Sequence, residues 1–192
     1  MRTHRFLVLL AIPMLLAART PKAAPSVPEQ VASTGPTKTS STTAEGLVEV
    51  KVDLNNDGIV EITNYYRQTT PDNRLLLRKD MDLNRDGRVD ISSTFNEAGR
   101  LVQEQMDSDF DGKIDWVDEY GDGRRTVTKV DTDFNGTFDM VKYFENGVVR
   151  RKERDTNADG KVDFWEYLDE RGNVIQTGQD IDGDGKMDVR QE

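Results

Sequence analysis

The stretch DTDFNGTFDMVKYFENGVVRRKER (131–154) contains one complete unit of this chain. Its first nine residues place oxygen-bearing side chains at alternate positions, Asp131, Asp133 and Asn135. Gly136 follows, then Phe138, then a further carboxylate, Asp139. Crowding acids in this way is unfavourable unless positive charge sits among them. After the nonapeptide come an aromatic and β-branched run, a glycine turn and a second short run. Such pieces suit strands and are too short for helix periodicity.

The unit recurs six times, with starts 29, 25, 24, 24 and 25 residues apart. Fixed-period self-similarity implies a repeat architecture. The first, third, fifth and ninth positions carry Asp, Asn or Glu in every copy. The seventh offers its backbone carbonyl. The first loop thus supplies Asp53, Asn55, Asp57, Ile59 and Glu61, and the second Asp82, Asn84, Asp86, Arg88 and Asp90. The third supplies Asp107, Asp109, Asp111, Lys113 and Asp115, and the fourth Asp131, Asp133, Asn135, Thr137 and Asp139. The fifth supplies Asp155, Asn157, Asp159, Lys161 and Asp163, and the sixth Asp180, Asp182, Asp184, Lys186 and Asp188. These loops hold 20 of the 36 acidic residues, so the acid is placed rather than spread. The sixth position is glycine throughout, which permits a turn that a Cβ disfavours. The eighth is apolar throughout and is expected to turn inward and tie the loop to the core.

Alternating oxygens on a curled loop converge on one point. A hard cation taking six to eight oxygens fits such a cage, and calcium is the expected ion, up to six per chain. Magnesium prefers stricter octahedral geometry and fewer protein ligands. Zinc and copper favour His or Cys, and the chain has no cysteine and one histidine, His4. The same scarcity removes Cys nucleophiles, disulfides and most nucleophile–base pairs.

The nonapeptides resemble the calcium loop of EF-hands, dockerins, thrombospondin type 3 repeats and integrin-propeller hairpins. The whole pattern of leader, tether and repeats is similar to bacterial secreted and lipoprotein-like calcium-repeat proteins. The resemblance implies calcium binding at the loop residues named above. It departs from a true EF-hand at the twelfth position, where the bidentate Glu is replaced by Asn64, Ser93, Asp118, Lys142, Glu166 and Gln191. The ninth acid takes over that closing position, as in the strand-flanked integrin type.

Between loops, strand, glycine turn and strand alternate. The expected fold is all-β: a repetitive antiparallel hairpin meander of ten to twelve short strands, as an open curved sheet or a solenoid-like ladder. Bulky residues at the tenth (Ile62, Ile91, Trp116, Met140, Phe164) and fourteenth (Tyr66, Phe95, Tyr120, Phe144, Leu168) positions share one face by alternation. That face is expected to be the packed core. The opposite face, with Thr63, Ser92, Val117, Val141 and Trp165, is expected to be wetter.

Residues 1–22 fit a signal peptide. Arg2, His4 and Arg5 precede an apolar run from Phe6 to Leu16, with small residues after it and cleavage expected between Ala18 and Ala23. Leu16-Ala17-Ala18-Arg19 resembles a bacterial lipobox, with Arg19 where the lipid-bearing Cys would stand. Residues 23–46, rich in Pro, Ser and Thr, fit a disordered tether. Residues 47–192 form the six-copy domain. Removing the leader takes away Arg2, Arg5, Arg19 and Lys22, moving the formal charge from −10 to −14. Such a chain repels nucleic acid and anionic lipid.

The expectation is a secreted, periplasmic or cell-surface calcium-binding protein, a calcium-stabilised structural or adhesive matrix component rather than an enzyme. Its expected partners are calcium and a cell-surface protein or polysaccharide, without nucleic acid or a membrane span. The alternatives are a calcium buffer or sensor, and a carboxylate-based glycan-acting enzyme. Against the last, no acid outside the loops stands in an apolar setting that would raise its pKa.

Overall fold

The computed structural model of the protein describes residues 35–192. The expected leader, and the tether up to residue 34, lie outside them. Thirteen strands run in chain order: β1 (Thr37–Thr42), β2 (Val48–Asp53), β3 (Ile62–Thr70), β4 (Asn73–Met81), β5 (Ile91–Phe95), β6 (Leu101–Met106) and β7 (Trp116–Gly121). Then come β8 (Arg124–Val130), β9 (Met140–Glu145), β10 (Val148–Arg154), β11 (Phe164–Leu168), β12 (Val174–Gln179) and β13 (Val189–Gln191).

Each strand pairs antiparallel with its neighbours in sequence, giving one 13-stranded sheet in the order β1 to β13. Only sequence neighbours touch, so the sheet is open. There is no helix among the described residues. The meander is therefore as expected, extended by one strand inside the stretch assigned to the tether. The strand β1 (TKTSST) is exposed along its length and held by β2, register Thr37↔Asp53 to Thr42↔Val48. Its Thr-rich composition favours extended backbone, although it has no apolar residue to signal a strand.

Strictly sequential pairing places the two kinds of turn at opposite ends of the strands. The tight turns join β1–β2, β3–β4 and so on. The acidic nonapeptides join β2–β3, β4–β5, β6–β7, β8–β9, β10–β11 and β12–β13. Two strands separate successive nonapeptides, so they line one margin of the sheet at intervals of about 9.5 Å. Asn146-Gly147 and Asp122-Gly123 have positive φ at both residues (52° and 82°; 49° and 75°). Those are type I′ turns, whose twist matches that of the flanking strands.

Five hairpins share a further irregularity. The register skips one residue of the second strand, leaving Leu77, Val102, Thr126, Arg150 and Ile175 unopposed. Such bulges raise local twist and recur with the repeat.

Cross-strand partners share a face, so the register defines rows across the sheet. The row beside the loops runs Val52, Ile62, Met81, Ile91, Met106, Trp116, Val130 and Met140, and is broken by Arg154 before Phe164. Two residues further in lies a polar row that includes Ser93, Glu104, Asp118, Thr128, Lys142, Lys152 and Glu166. Ser93 Oγ donates to Glu104 at 2.9 Å, and Thr128 Oγ1 donates to Asp118. Arg125 and Lys152 pair with Asp118 and Glu166 at 2.9 and 3.5 Å.

The one-faced core expected from the tenth and fourteenth positions is corrected here. Of those ten residues only Leu168 is buried, while the face expected to be wetter buries Val117 and Trp165. With no second layer over the described residues, each face relies on neighbouring side chains lying over one another. The eighth loop residues are corrected too. None is buried, and Val89 and Phe138 are exposed. Only Met187 clearly folds back, lying over Gly178 of β12, where a Cβ would overlap it.

Candidate metal sites

The inventory of buried residues is unusual for its chemistry. Four apolar residues are buried: Val52, Val117, Trp165 and Leu168. Ten polar residues are buried, and six of them are loop carboxylates: Glu61, Asp82, Asp90, Asp107, Asp115 and Asp131. Asp90 and Asp131 are 1% exposed. A carboxylate taken from water needs donors or a cation to offset its lost hydration.

The loop backbone supplies part of that offset, in the same way six times. The first Asp accepts the N–H of the sixth-position Gly in every loop, at 2.6–2.8 Å. The ninth acid accepts the N–H of the second residue, at 2.5–3.0 Å. The fifth side chain accepts the N–H of the seventh, at 2.8–2.9 Å. Two left-handed residues curl each loop, the fourth (Asn56, Arg85, Phe110, Phe134, Ala158, Gly183; φ 60–77°) and the sixth Gly (φ 85–94°). A left-handed non-glycine residue costs roughly 1–2 kcal/mol, so five loops bear that strain at the fourth position.

The ninth-position N–H closes each loop onto the strand before it, as Asp90 N to Met81 O at 2.8 Å. From the second loop onward, the first-position N–H donates to the ninth carbonyl of the preceding loop. Asp107 N to Asp90 O and Asp131 N to Asp115 O, both 2.8 Å, are examples. The loops are thus chained by their backbones.

In four of the six loops, three of the expected acids converge. Carboxylate oxygens of Asp53, Asp57 and Glu61 lie within 4.8 Å of one another, as do those of Asp107, Asp109 and Asp115. The sets Asp131, Asp133, Asp139 and Asp180, Asp182, Asp188 do the same. In the second and fifth loops Asn84 and Asn157 stand at the third position, and no three acids meet that distance. Their amide oxygens accept the fifth-position N–H at 2.9 Å, so the loop path is kept and one charge is lost. The seventh carbonyls, of Ile59, Arg88, Lys113, Thr137, Lys161 and Lys186, accept no hydrogen bond among the described residues.

Backbone donors also set the acidity. The N–H of Ile59 holds Asp57 below the ordinary carboxylate range, and that of Lys113 does the same for Asp111. Asp184 is lowered by the Lys186 ammonium. Burial pushes Asp131 up, but the N–H groups of Gly136 and Asn135 and its other hydrogen bonds outweigh it, and the net direction is down. These acids are charged at neutral pH, as metal ligands must be.

Two features were missed from sequence. One is the second loop position. Ser108, Thr132 and Thr156 add a hydroxyl donor to the ninth carboxylate at 2.7–2.8 Å, whereas Leu54, Leu83 and Ile181 stand exposed there. A Ser/Thr at that position was a readable signal. The other is Arg85, whose guanidinium leaves its own loop and pairs with Asp57 and Glu61 of the first, at 3.2 and 2.7 Å.

Donor chemistry and backbone path together fit a hard, oxygen-seeking cation. Acid oxygens converge in four loops, the charge is negative, and no ligand position of any loop carries His, Cys or Met.

No protein-family profile matches the chain, and no curated protein does. Among solved structures, the crystal structure of accessory secretory protein 1,2 and 3 in Streptococcus pneumoniae is 17% identical over 61% of this chain, with a TM-score of 0.25. The chain covers 19% of that protein's length, and so weak a likeness carries no argument.

Proposed function

We propose that the acidic loops bind calcium and that the bound ions hold the sheet together, making the protein a calcium-stabilised structural or adhesive repeat protein acting outside the cell. The observation that carries this reading is the inversion of the core: a thirteen-stranded sheet with four buried apolar residues and six buried loop carboxylates. Apolar burial is the usual source of stability. Here the sequence invests instead in acids at one margin, which repel until a cation joins them. Each site held at ten times its dissociation constant adds about 1.4 kcal/mol, from RT ln(1 + [L]/Kd). Several such sites rival the roughly 5–15 kcal/mol that keeps an ordinary domain folded.

Calcium is favoured over magnesium by the number of protein oxygens each loop offers, five residues contributing where magnesium retains several waters. Loops of this kind in extracellular modules bind at roughly 10⁻⁴–10⁻³ M. That affinity suits a protein that meets calcium after export, in keeping with the signal-like leader. The adhesive or spacer role rests on the repeat architecture and the Pro/Thr-rich stretch ahead of it. Calorimetric titration with calcium, repeated with magnesium, tests the ion. Saturable binding of several calcium ions, with magnesium much weaker, is expected. No calcium heat up to about 10 mM, well above that range, overturns the reading.

A further inference from the structure

We propose that the first loop holds the Arg85 guanidinium in place of a metal ion, so that the chain takes five calcium ions and carries its own cation at the first position of the row. This rests on the calcium reading above and changes its count.

The geometry is specific to one pair of loops. Arg85 occupies the fourth position of the second loop, with φ 66°, and its side chain reaches the preceding loop. One terminal nitrogen lies 2.7 Å from Glu61 Oε1 and the other 3.2 Å from Asp57 Oδ2. Glu61 is 8% exposed, so one side of the ion pair is withdrawn from water. The other oxygens of the site are also occupied. Leu54 N–H donates to Glu61 Oε2 at 2.8 Å, and Ile59 N–H to Asp57 Oδ1 at 2.9 Å. Asn56 and Gly58 N–H groups serve the two oxygens of Asp53, at 2.7 and 2.8 Å. Every carboxylate oxygen of the first loop therefore has a donor.

Other loops differ. The ninth acids Asp90, Asp115 and Asp188 use only Oδ2 as acceptor, and Oδ1 takes no hydrogen bond from a described residue. Apart from Arg85, the fourth residues bring no cation: they are Asn56, Phe110, Phe134, Ala158 and Gly183. Basic side chains that do bridge loops point the other way, from a seventh position forward. Lys113 and Lys161 donate to the carbonyl oxygens of Asn135 and Gly183, at 3.4 and 2.6 Å, rather than to the next loop's acids.

Glutamate replaces aspartate as the ninth acid only in the first loop. The extra methylene lets the Glu61 carboxylate meet a guanidinium arriving from the neighbouring loop. Arginine suits the role because it stays charged at any working pH and offers a forked set of donors. A divalent ion must displace it, since two positive charges a few ångströms apart repel.

Native mass spectrometry of the whole chain, titrated with calcium to about 10 mM, roughly ten times the upper end for extracellular calcium modules, counts the ions at saturation. Five are expected for the natural sequence and six for Arg85→Gln. The reciprocal variant, Phe110→Arg combined with Asp90→Glu, builds the same pair on the second loop and is expected to hold four. It decides the matter if Arg85→Gln fails to fold. Six ions on the natural sequence overturn the inference and leave calcium binding intact. An unchanged count in the variants also overturns it. No bound calcium in any of them overturns the calcium reading itself, and this inference with it.

Discussion

Asp109→Asn isolates charge from geometry, because three of the six loops already carry Asn at this position: Asn55, Asn84 and Asn157. Asp109 Oδ1 accepts the Asp111 N–H at 3.1 Å, and an amide oxygen makes that bond in the second and fifth loops at 2.9 Å. The loop path should survive. What disappears is one charge lying within 4.8 Å of Asp107 and Asp115. In a water-like dielectric each of those repulsions is about 0.9 kcal/mol. Their sum is about 2 kcal/mol at low salt and about 1 kcal/mol at physiological salt, where the screening length is about 8 Å. In chelator the variant should therefore be more stable by that amount. In saturating calcium a ligand charge has also been lost. A tenfold weaker ion subtracts about 1.4 kcal/mol, which slightly reverses the gain at physiological salt and removes most of it at low salt. Urea unfolding followed by far-UV circular dichroism, with chelator and with calcium, reads both numbers. Equal stabilisation in the two solvents would mean that Asp109 meets no ion. Destabilisation in chelator would mean that the loop acids do not repel, and the reasoning fails.

Gly160→Ala should cost about 1–2 kcal/mol from backbone strain alone, since φ is 86° and the new Cβ meets nothing within 4 Å; thermal melting checks it. Thr128→Val removes the donor to buried Asp118 at a position 1% exposed, and should cost about 1–3 kcal/mol. The loss should be equal with and without calcium, since this pair lies in the polar row and neither residue is among the loop ligands. Calorimetry should show the calcium count unchanged. For acid, Asp57, Asp111, Asp131 and Asp184 have folded pKa values below the unfolded value near 3.8. Their contribution is present above that value and is lost as pH falls through the lower folded ones. Melting in chelator should be insensitive to these groups from pH 7 to 5 and should fall below about pH 4.

The meander and the loops were legible because the same spacing is written six times. A nine-residue alternation of oxygens, closed by Gly and an acid, dictates a curl; runs such as DMVKYF and DFWEYL have room only for strands. Sequential pairing then follows from connections too short for a crossover. What escaped has a common physical origin. Arg85 acts on a loop 24 residues earlier, a contact set by the two-strand spacing between loops rather than by local pattern. Strand β1 contains no apolar residue, and its order comes from hydrogen bonds to β2. The buried faces were misassigned because alternation says which residues share a face but not whether anything covers it. Val117 and Trp165 are buried by strand neighbours across a single layer, on the face with fewer bulky groups. The unopposed residues Leu77, Val102, Thr126, Arg150 and Ile175 belong to bulges that no turn signal announces.

The most direct test of the account is the far-UV circular dichroism and thermal melt of the chain in chelator, then in calcium, then in magnesium. A β-type spectrum that appears or sharpens with calcium, with a melting temperature that climbs steeply with calcium and little with magnesium, is the predicted result. A spectrum and a melt identical in all three solutions would contradict it, and the six acidic loops would then be turns that hold their shape by backbone hydrogen bonds alone.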